Sequence, residues 1–345
     1  MVPKEEKPYI WGLILGVTLA TVVFYAVMGT LYYFNMPLGK GNATALVVLK
    51  KGEPVGTFLK KLESKGIKVN PSAFRLYLKL TGHSRDLKAG EYLVSTSHSI
   101  KTLTETLTQG KVYLHRVVVW EGLDMFDIAR LMVQAGIFSR REDFLDAATN
   151  KALLKKLKVP GSTAEGFLFP ETYRFPKDTL PKRVVEKMVY TFWNRITPEI
   201  LEKCKKVGFT LYQAVILASI IQKETFVKEE MPLISAVYHN RLKRGMRLQA
   251  DPTVIYALKL KYGTEKLHLT RKDLAVDSPY NTYLHKGLPP GPICNPGIDA
   301  IKAAVDPAPV DYLYFVAKGD GTHHFSRTLA EHDRAIQRYL KGRKD

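Results

Sequence analysis

Leu211-Tyr212-Gln213-Ala214-Val215-Ile216-Leu217-Ala218-Ser219-Ile220-Ile221-Gln222-Lys223-Glu224 reads as a helix that runs on towards Lys228. Thr210, after Gly208-Phe209, is its expected N-cap, because a threonine hydroxyl there can accept from a free amide of the first turn. Residues two apart on a helix lie roughly 200° apart, so Gln222 and Glu224 cannot share a face. Gln222 stacks over Ala218 and Ser219, which are small and leave room for a ligand. Glu224 stacks over Ile220 and Ile221, an apolar face expected to pack inward. A carboxyl on apolar surface has a raised pKa, which suits an acid. The two positions are therefore rivals, with the open face favouring Gln222.

Around this helix, Pro181 to Val207 also reads as helical. Met246 to His332 is rich in Gly, Pro, Asn, Asp and Tyr and reads as long functional loops on a scaffold. Asp311 to Val316 is an expected strand, Gly319-Asp320-Gly321 a turn, and His323-His324-Phe325 the start of the return strand. Ser326 to Lys341 closes the chain as a helix. His323 and His324 lack a third ligand nearby, so no zinc site is expected.

Upstream lies an internal repeat. Val47-Val48-Leu49-Lys50-Lys51-Gly52 aligns with Val117-Val118-Val119-Trp120-Glu121-Gly122 at an offset of 70. The same offset pairs Phe58 with Ile128, Leu62 with Met132, Gly66-Ile67 with Gly136-Ile137, and Phe74 with Phe144. After a small shift, Ala89-Gly90-Glu91-Tyr92-Leu93 aligns with Glu165-Gly166-Phe167-Leu168-Phe169. Each copy reads strand, helix, helix, strand, with Asn70-Pro71 starting the second helix of the first copy. This βααβ order resembles a LysM module, a small carbohydrate-binding fold.

Ile10 to Phe34 contains 25 residues without Asp, Glu, Lys, Arg or His. About 20 such residues suffice to span a bilayer. The run ends in Leu31-Tyr32-Tyr33-Phe34, with aromatics at the level of the headgroups. Lys4-Glu5-Glu6-Lys7 on one side and Lys40, Lys50 and Lys51 on the other leave the orientation open. The net charge of +19 implies an anionic partner: nucleic acid, lipid headgroups or an anionic wall. No nucleic-acid recognition motif is present, and an anchor argues against a chromosomal role. Cys204 and Cys294 form neither a disulfide framework nor a metal-ligand spacing.

Several long motifs, in order, resemble the MltG/YceG family of endolytic murein transglycosylases. They are Glu165-Gly166-Phe167-Leu168-Phe169-Pro170-Glu171-Thr172-Tyr173, Leu217 to Glu224, Arg247-Leu248-Gln249-Ala250-Asp251-Pro252-Thr253-Val254-Ile255-Tyr256, Tyr280-Asn281-Thr282-Tyr283 running into Gly287 to Ile293, and Tyr312 to Val316. The resemblance implies an α+β chain in six parts. These are a cytoplasmic tail (1–9), a transmembrane helix (10–34), a linker (35–43), a LysM-like module (44–113), a second LysM-like repeat (114–195) and a catalytic domain (196–345) outside the cytoplasmic membrane. It implies a catalytic Glu at the first Glu of an Ala-Ser-Ile-Ile/Val-Glu-Lys-Glu motif, and this chain has Gln222 there. Glutamine cannot ionise. The chain as written is thus expected to be an inactive Glu-to-Gln form that binds glycan without cutting it.

The implied reaction is non-hydrolytic cleavage between N-acetylmuramic acid and N-acetylglucosamine, with an acid protonating the glycosidic oxygen. The muramic acid's own hydroxymethyl oxygen then closes onto the anomeric carbon to leave a 1,6-anhydro end. An intramolecular nucleophile lets one carboxylate suffice where ordinary glycosidases use two. No cofactor or metal is required. Gln249, Asp251 and Thr253 are candidates to bind sugar, or, for the latter two, to cap a helix near Pro252. Tyr280, Asn281 and Tyr283 are candidates to hold sugar, or to form a polar loop under Pro289-Pro290. Glu171 and Tyr173 are further candidates at the cleft, and Glu165 is expected to be structural. Expected partners are peptidoglycan glycan strands, the membrane through 10–34, and peptidoglycan synthases. The alternatives are a non-catalytic peptidoglycan-binding scaffold and a cytosolic aminodeoxychorismate lyase. The apolar run at 10–34 fits the lyase poorly, and no cofactor lysine signature is visible.

Overall fold

A computed structural model describes residues 7–263, 266 and 268–341. Residues 1–6 of the expected tail and 342–345 of the expected catalytic domain lie outside the described residues. The chain is α+β and divides into two compact units, residues 1–114 and 115–345.

The first unit begins with α1 (Lys7–Asn35). Its segment Tyr9–Asn35 holds an 18-residue stretch of mean hydropathy 2.2 and is long and apolar enough to cross a membrane. At 1.5 Å per residue those residues extend about 40 Å, more than a hydrocarbon core requires. Thr18, Thr21 and Thr30 each donate to the carbonyl four residues back, so their hydroxyls need no water. The last turn turns protein-ward. Phe34 is buried, with its ring edge-on to Tyr77 at 4.8 Å.

The expected linker is fastened in place. Leu38 N donates to His98 O at 2.7 Å, Gly39 N to Thr96 O at 3.1 Å, and Thr96 Oγ1 to Gly41 O at 2.9 Å. Beyond it, β1 (Thr44–Leu49) pairs antiparallel with β2 (Gly90–Ser95), from Thr44↔Ser95 to Leu49↔Gly90. Between them run α2 (Val55–Ser64) and α3 (Pro71–Leu80), and α4 (Ile100–Gln109) follows. Asn70 caps α3 through its side chain, as its Asn-Pro sequence predicts. Val47, Leu49, Tyr92 and Val94 from the sheet and Phe58, Leu62, Phe74, Leu78, Leu103 and Leu107 from the helices form the core.

The second unit opens with the same order. β3 (Leu114–Val118), α5 (Met125–Gln134) and α6 (Arg141–Ala148) begin 70 residues after β1, α2 and α3, which begin at Thr44, Val55 and Pro71. Gly52 and Gly122, and Gly66 and Gly136, all take positive φ, between 73° and 85°. Here α7 (Lys151–Lys156) intervenes before β4 (Thr172–Pro176), which pairs with β3. That insertion moves the true equivalent of β2. Tyr92 Oη donates to Lys88 O at 2.7 Å, and Tyr173 Oη to Phe169 O at 2.6 Å, each four residues back. Tyr173 thus matches Tyr92. The alignment of Gly90 with Gly166 fails, because Gly166 lies in a turn ahead of β4. There its φ is +83°, and a Cβ would fall 2.5 Å from Pro292 Cγ.

The rest of the unit is helical: α8 (Pro181–Arg195), α9 (Pro198–Lys206), α10 (Leu211–Glu224), α11 (Met231–Lys243), α12 (Asp251–Tyr262) and α13 (Ile298–Val305). A hairpin, β5 (Tyr314–Ala317) with β6 (His323–Ser326), and α14 (Leu329–Ile336) end it. One core runs from Val117 to Val305, so no break separates 114–195 from 196–345. α10 lies at its centre, against α9, α11, α12 and α13. Thr210 caps it reciprocally with Gln213. Every residue from Ala214 to Gln222 is buried. The expected open face over Ala218 and Ser219 is therefore filled.

Tyr173→Phe deletes the bond to Phe169 O, and Tyr92→Phe the bond to Lys88 O with a longer one of 3.5 Å to Leu107 O; both leave the ring in place. Each should cost about 1 kcal/mol. Denaturant unfolding of the two variants should show similar small losses, and Tyr173→Phe should leave glycan binding unchanged.

Candidate active site

Past its first turn, where Gln213 is exposed, α10 surfaces again only at its C-terminal turn, where Lys223 is exposed and Glu224 half-buried. Glu224 opens into a cleft of about 390 Å³. Its walls are Tyr238 and Arg241 from α11, Asp251 at the start of α12, Gln249 and Tyr283 from loops, Tyr314 and Phe315 from β5, and Leu329 and His332 from α14. Tyr238 and Arg241 are three apart on one helix, so both reach the same side.

Tyr238 Oη donates to Glu224 Oε1 at 2.6 Å. Oε2 has no hydrogen-bond partner among the described residues and is left for a ligand. Burial pushes the Glu224 carboxyl up to about 7. The Tyr238 hydrogen bond opposes that shift, the nearby Asp251 charge adds to it, and the Arg241 charge opposes it. Glu224 thus carries a proton over much of the neutral range, as a general acid must.

Arg241 is held by backbone. Its Nε donates to Leu313 O at 2.7 Å and its Nη1 to Leu248 O at 2.6 Å, with the guanidinium 5.2 Å from the Tyr314 ring centre. Burial lowers its pKa, yet a guanidinium stays charged. Across the cleft, Tyr283 Oη donates to Asp251 Oδ1 at 2.6 Å, and burial raises the Tyr283 phenol. Gln249 is exposed with φ at +50°, a left-handed backbone that costs a non-glycine residue about 1 kcal/mol or more. Its amide donates to Thr282 O at 3.2 Å, which holds that turn. His332 stacks on Tyr314 at 5.1 Å, and its Nδ1 is buried without a partner among the described residues. Burial, with the Arg241 charge, lowers its pKa and keeps the ring neutral.

Of the expected ligand-binding residues, Gln249, Asp251 and Tyr283 meet in this cleft. The others lie elsewhere. Gln222 is 1% exposed; its Oε1 accepts from Gly297 N at 2.9 Å at the start of α13, and its Nε2 has no partner among the described residues. Thr253 is fully buried, donating to Ala250 O at 2.7 Å and paired with Thr282 Oγ1 at 2.8 Å, so it braces the start of α12. Asn281 is fully buried too. Its Nδ2 donates to Leu274 O and Val276 O, and its Oδ1 accepts from Tyr283 N, which pins the loop carrying Tyr283. Tyr280 packs edge-on against Tyr256 at 5.1 Å, and burial pushes its phenol up to about 12. Glu171 is exposed and pairs with Arg195 at 2.9 Å, and Tyr173, in β4, is buried. For Thr253, Asn281 and Tyr173 the expectation of sugar contact is corrected, since burial leaves them no surface.

Glu165 explains how the loops behind the site hold their shape. Fully buried, it accepts from Met125 N at 3.0 Å, Tyr256 Oη at 3.2 Å and Asn295 Nδ2 at 2.8 Å. Burial pushes its carboxyl up to about 8. Asn295 also accepts from Leu168 N and donates to Leu123 O, so one amide joins three segments. Sequence reasoning missed Tyr238, Arg241, Tyr314 and His332. Their only local signal, a Tyr and an Arg three apart on one helix, is common in helices of any function.

The YceG-like family model matches residues 47–338. The chain is 32% identical over 328 residues to an endolytic murein transglycosylase of Bacillus subtilis, covering 90% of this chain and 89% of that protein. It is 28% identical to the endolytic murein transglycosylase of Streptococcus pneumoniae D39, covering 94% of this chain and 65% of that one. The crystal structure of a yceG-like protein from Listeria monocytogenes superposes with a TM-score of 0.59 at 31% identity, over 85% of this chain and 99% of that one.

Carboxyl-selective NMR should find Glu224 titrating near 7. Tyr238→Phe removes a bond to the charged form and should move that midpoint upward. Asp251→Asn removes a repelling charge and should move it downward. A midpoint near 4.5 in the unmodified chain would contradict the buried setting.

Proposed function

The chain belongs to the YceG-like family, and from that premise we propose that it is a membrane-anchored endolytic lytic transglycosylase whose acid is Glu224. One observation carries the assignment: of the two carboxyls in the cleft, Asp251 is exposed, whereas Glu224 is half-buried, with one oxygen fixed by Tyr238, the other free, and burial pushing it up to about 7. Gln222, by contrast, is sealed under Gly297.

With Tyr238 holding Oε1, protonated Oε2 faces the cleft. It donates to the glycosidic oxygen as the bond between N-acetylmuramic acid and N-acetylglucosamine breaks. The carboxylate left behind is stabilised by the Tyr238 hydroxyl and the Arg241 charge. It then takes the proton of the muramic acid hydroxymethyl group as that oxygen closes on the anomeric carbon. The product is a 1,6-anhydro end, and Glu224 is again protonated. Gln249, Asp251 and Tyr283 supply amide, carboxylate and phenol groups for sugar hydroxyls and N-acetyl groups.

The same reading places α1 in the cytoplasmic membrane with the second unit on the outer side, beside the synthases that extrude new glycan. Cutting nascent strands there terminates their elongation. The first unit's βααβ order supports a LysM-like glycan contact, and the net charge of +19 suits an anionic wall. The rival reading is a non-cutting scaffold with Gln222 at the acid's position. It is favoured by the Gln in the family's helix motif.

Purified glycan digested by three forms separates the readings. The unmodified chain should release anhydro-ended fragments. Glu224→Gln should lose about a thousandfold in rate, as expected for a general acid. Gln222→Glu should bring no gain, since it puts a second carboxyl into a sealed site. A silent unmodified chain that Gln222→Glu awakens would overturn the assignment, and silence in all three would favour the scaffold. Activity should fall as pH rises through about 7, because Glu224 then ionises.

A further inference from the structure

α1 joins the rest of its unit without slack. Phe34 is in the core, Met36 N donates to Tyr33 O at 3.2 Å, and residues 38–41 are bonded along 96–98. Tyr77 of α3 lies 4.8 Å from Phe34, ring centre to ring centre. The depth at which Tyr32 and Tyr33 sit at a membrane surface is therefore also the depth of Tyr77. Leu76 and Leu80 flank Tyr77 on α3, four apart and so on one face, and are 48% and 67% exposed. A lone surface leucine is ordinary. Two on one face, on the helix whose Tyr77 meets Phe34 at the end of an apolar helix, are set apart from the ordinary case.

The charges agree. Arg75 and Lys79 alternate with these leucines and make no ion pair among the described residues. From Met36 to Leu114 there are 13 Lys and Arg against 5 Asp and Glu, a net +8. A helix with leucines on one side and basic residues beside them suits an anionic bilayer surface.

We propose that α3 is an interfacial helix. Leu76 and Leu80 seat at the boundary of headgroups and acyl chains, and Arg75 and Lys79 meet anionic headgroups. The first unit then lies on the bilayer at a fixed height. The inference rests on α1 spanning the membrane.

The test uses the full chain in vesicles, with Leu80→Cys carrying a bimane fluorophore. Cys204 and Cys294 are buried, so the label goes to the introduced thiol. A nitroxide on the lipid headgroup should quench it severalfold. Quenching should be stronger in phosphatidylglycerol than in phosphatidylcholine, and Arg75→Glu with Lys79→Glu should erase that difference. Absence of quenching at position 80 overturns the proposal, and equal quenching in both lipids overturns its headgroup-charge half. A label at Val22→Cys with an acyl-chain nitroxide tests the span separately. Quenching at 22 but not at 80 defeats the interfacial helix and leaves the anchor standing. No quenching at 22 defeats the anchor itself, and the proposal with it.

Discussion

A helix that is buried all round can present chemistry only where it ends. α10 is enclosed from Ala214 to Gln222, and the side chains that face solvent after that are Lys223 and Glu224. The position of the cleft follows from this. The last turn cannot extend, because Thr225 is extended rather than helical. α11 then returns alongside and delivers Tyr238 and Arg241 to the same end. The half-buried setting that makes Glu224 hard to ionise is the margin of the core itself. The Glu224 carboxyl is thus tuned by packing, and the hydroxyl of Tyr238 fixes which oxygen is free.

Behind the cleft, the long loops are rigid for a polar reason. A core cannot leave amides and carbonyls unpaired without a cost of roughly 1–3 kcal/mol each. Glu165 and Asn295 absorb several at once, joining Leu123, Met125, Leu168 and Tyr256. Asn281 does the same for the loop that carries Tyr283. A carboxyl kept largely protonated is tolerable there, because the desolvation that raises its pKa also spares the core a charge. Residues that look like ligand-binding groups in sequence, polar and set in loops, are here the fasteners of those loops.

Legibility followed periodicity. The start of α10 at Leu211, the Asn70 cap, the hairpin of β5 and β6 and the repeat offset could all be read, since each rests on local spacing or turn chemistry, whereas the expected run of α10 to Lys228 stops at Glu224. The site could not be read in the same way. Ala218 and Ser219 form an open face only if that side of α10 meets solvent, and it does not. Small residues there admit the start of α13 instead, with Gly297 on Gln222 and Cys294 Sγ on Ser219 O. Small side chains mark close approach, and sequence alone does not say whether a ligand or a neighbouring helix approaches. Arg241 and His332 come from elements far apart in the chain, and only tertiary packing brings them to Glu224.

The two copies of the βααβ order show how one pattern serves two environments. Both keep the glycines with positive φ and the tyrosine bonded four residues back. What differs is what covers their surfaces. In the first copy, α4 closes the core, and the last turn of α1 adds Phe34 to it. In the second, α7 is inserted and the core runs on without interruption into the helices around α10. A two-stranded sheet with two helices buries too little to stand alone. Each copy therefore had to recruit a partner. One recruited the apolar N-terminal helix, the other the helical body that carries the cleft. The fold's need for extra apolar surface accounts for a linker that is fastened rather than loose, and for a second unit in which repeat and cleft share one core.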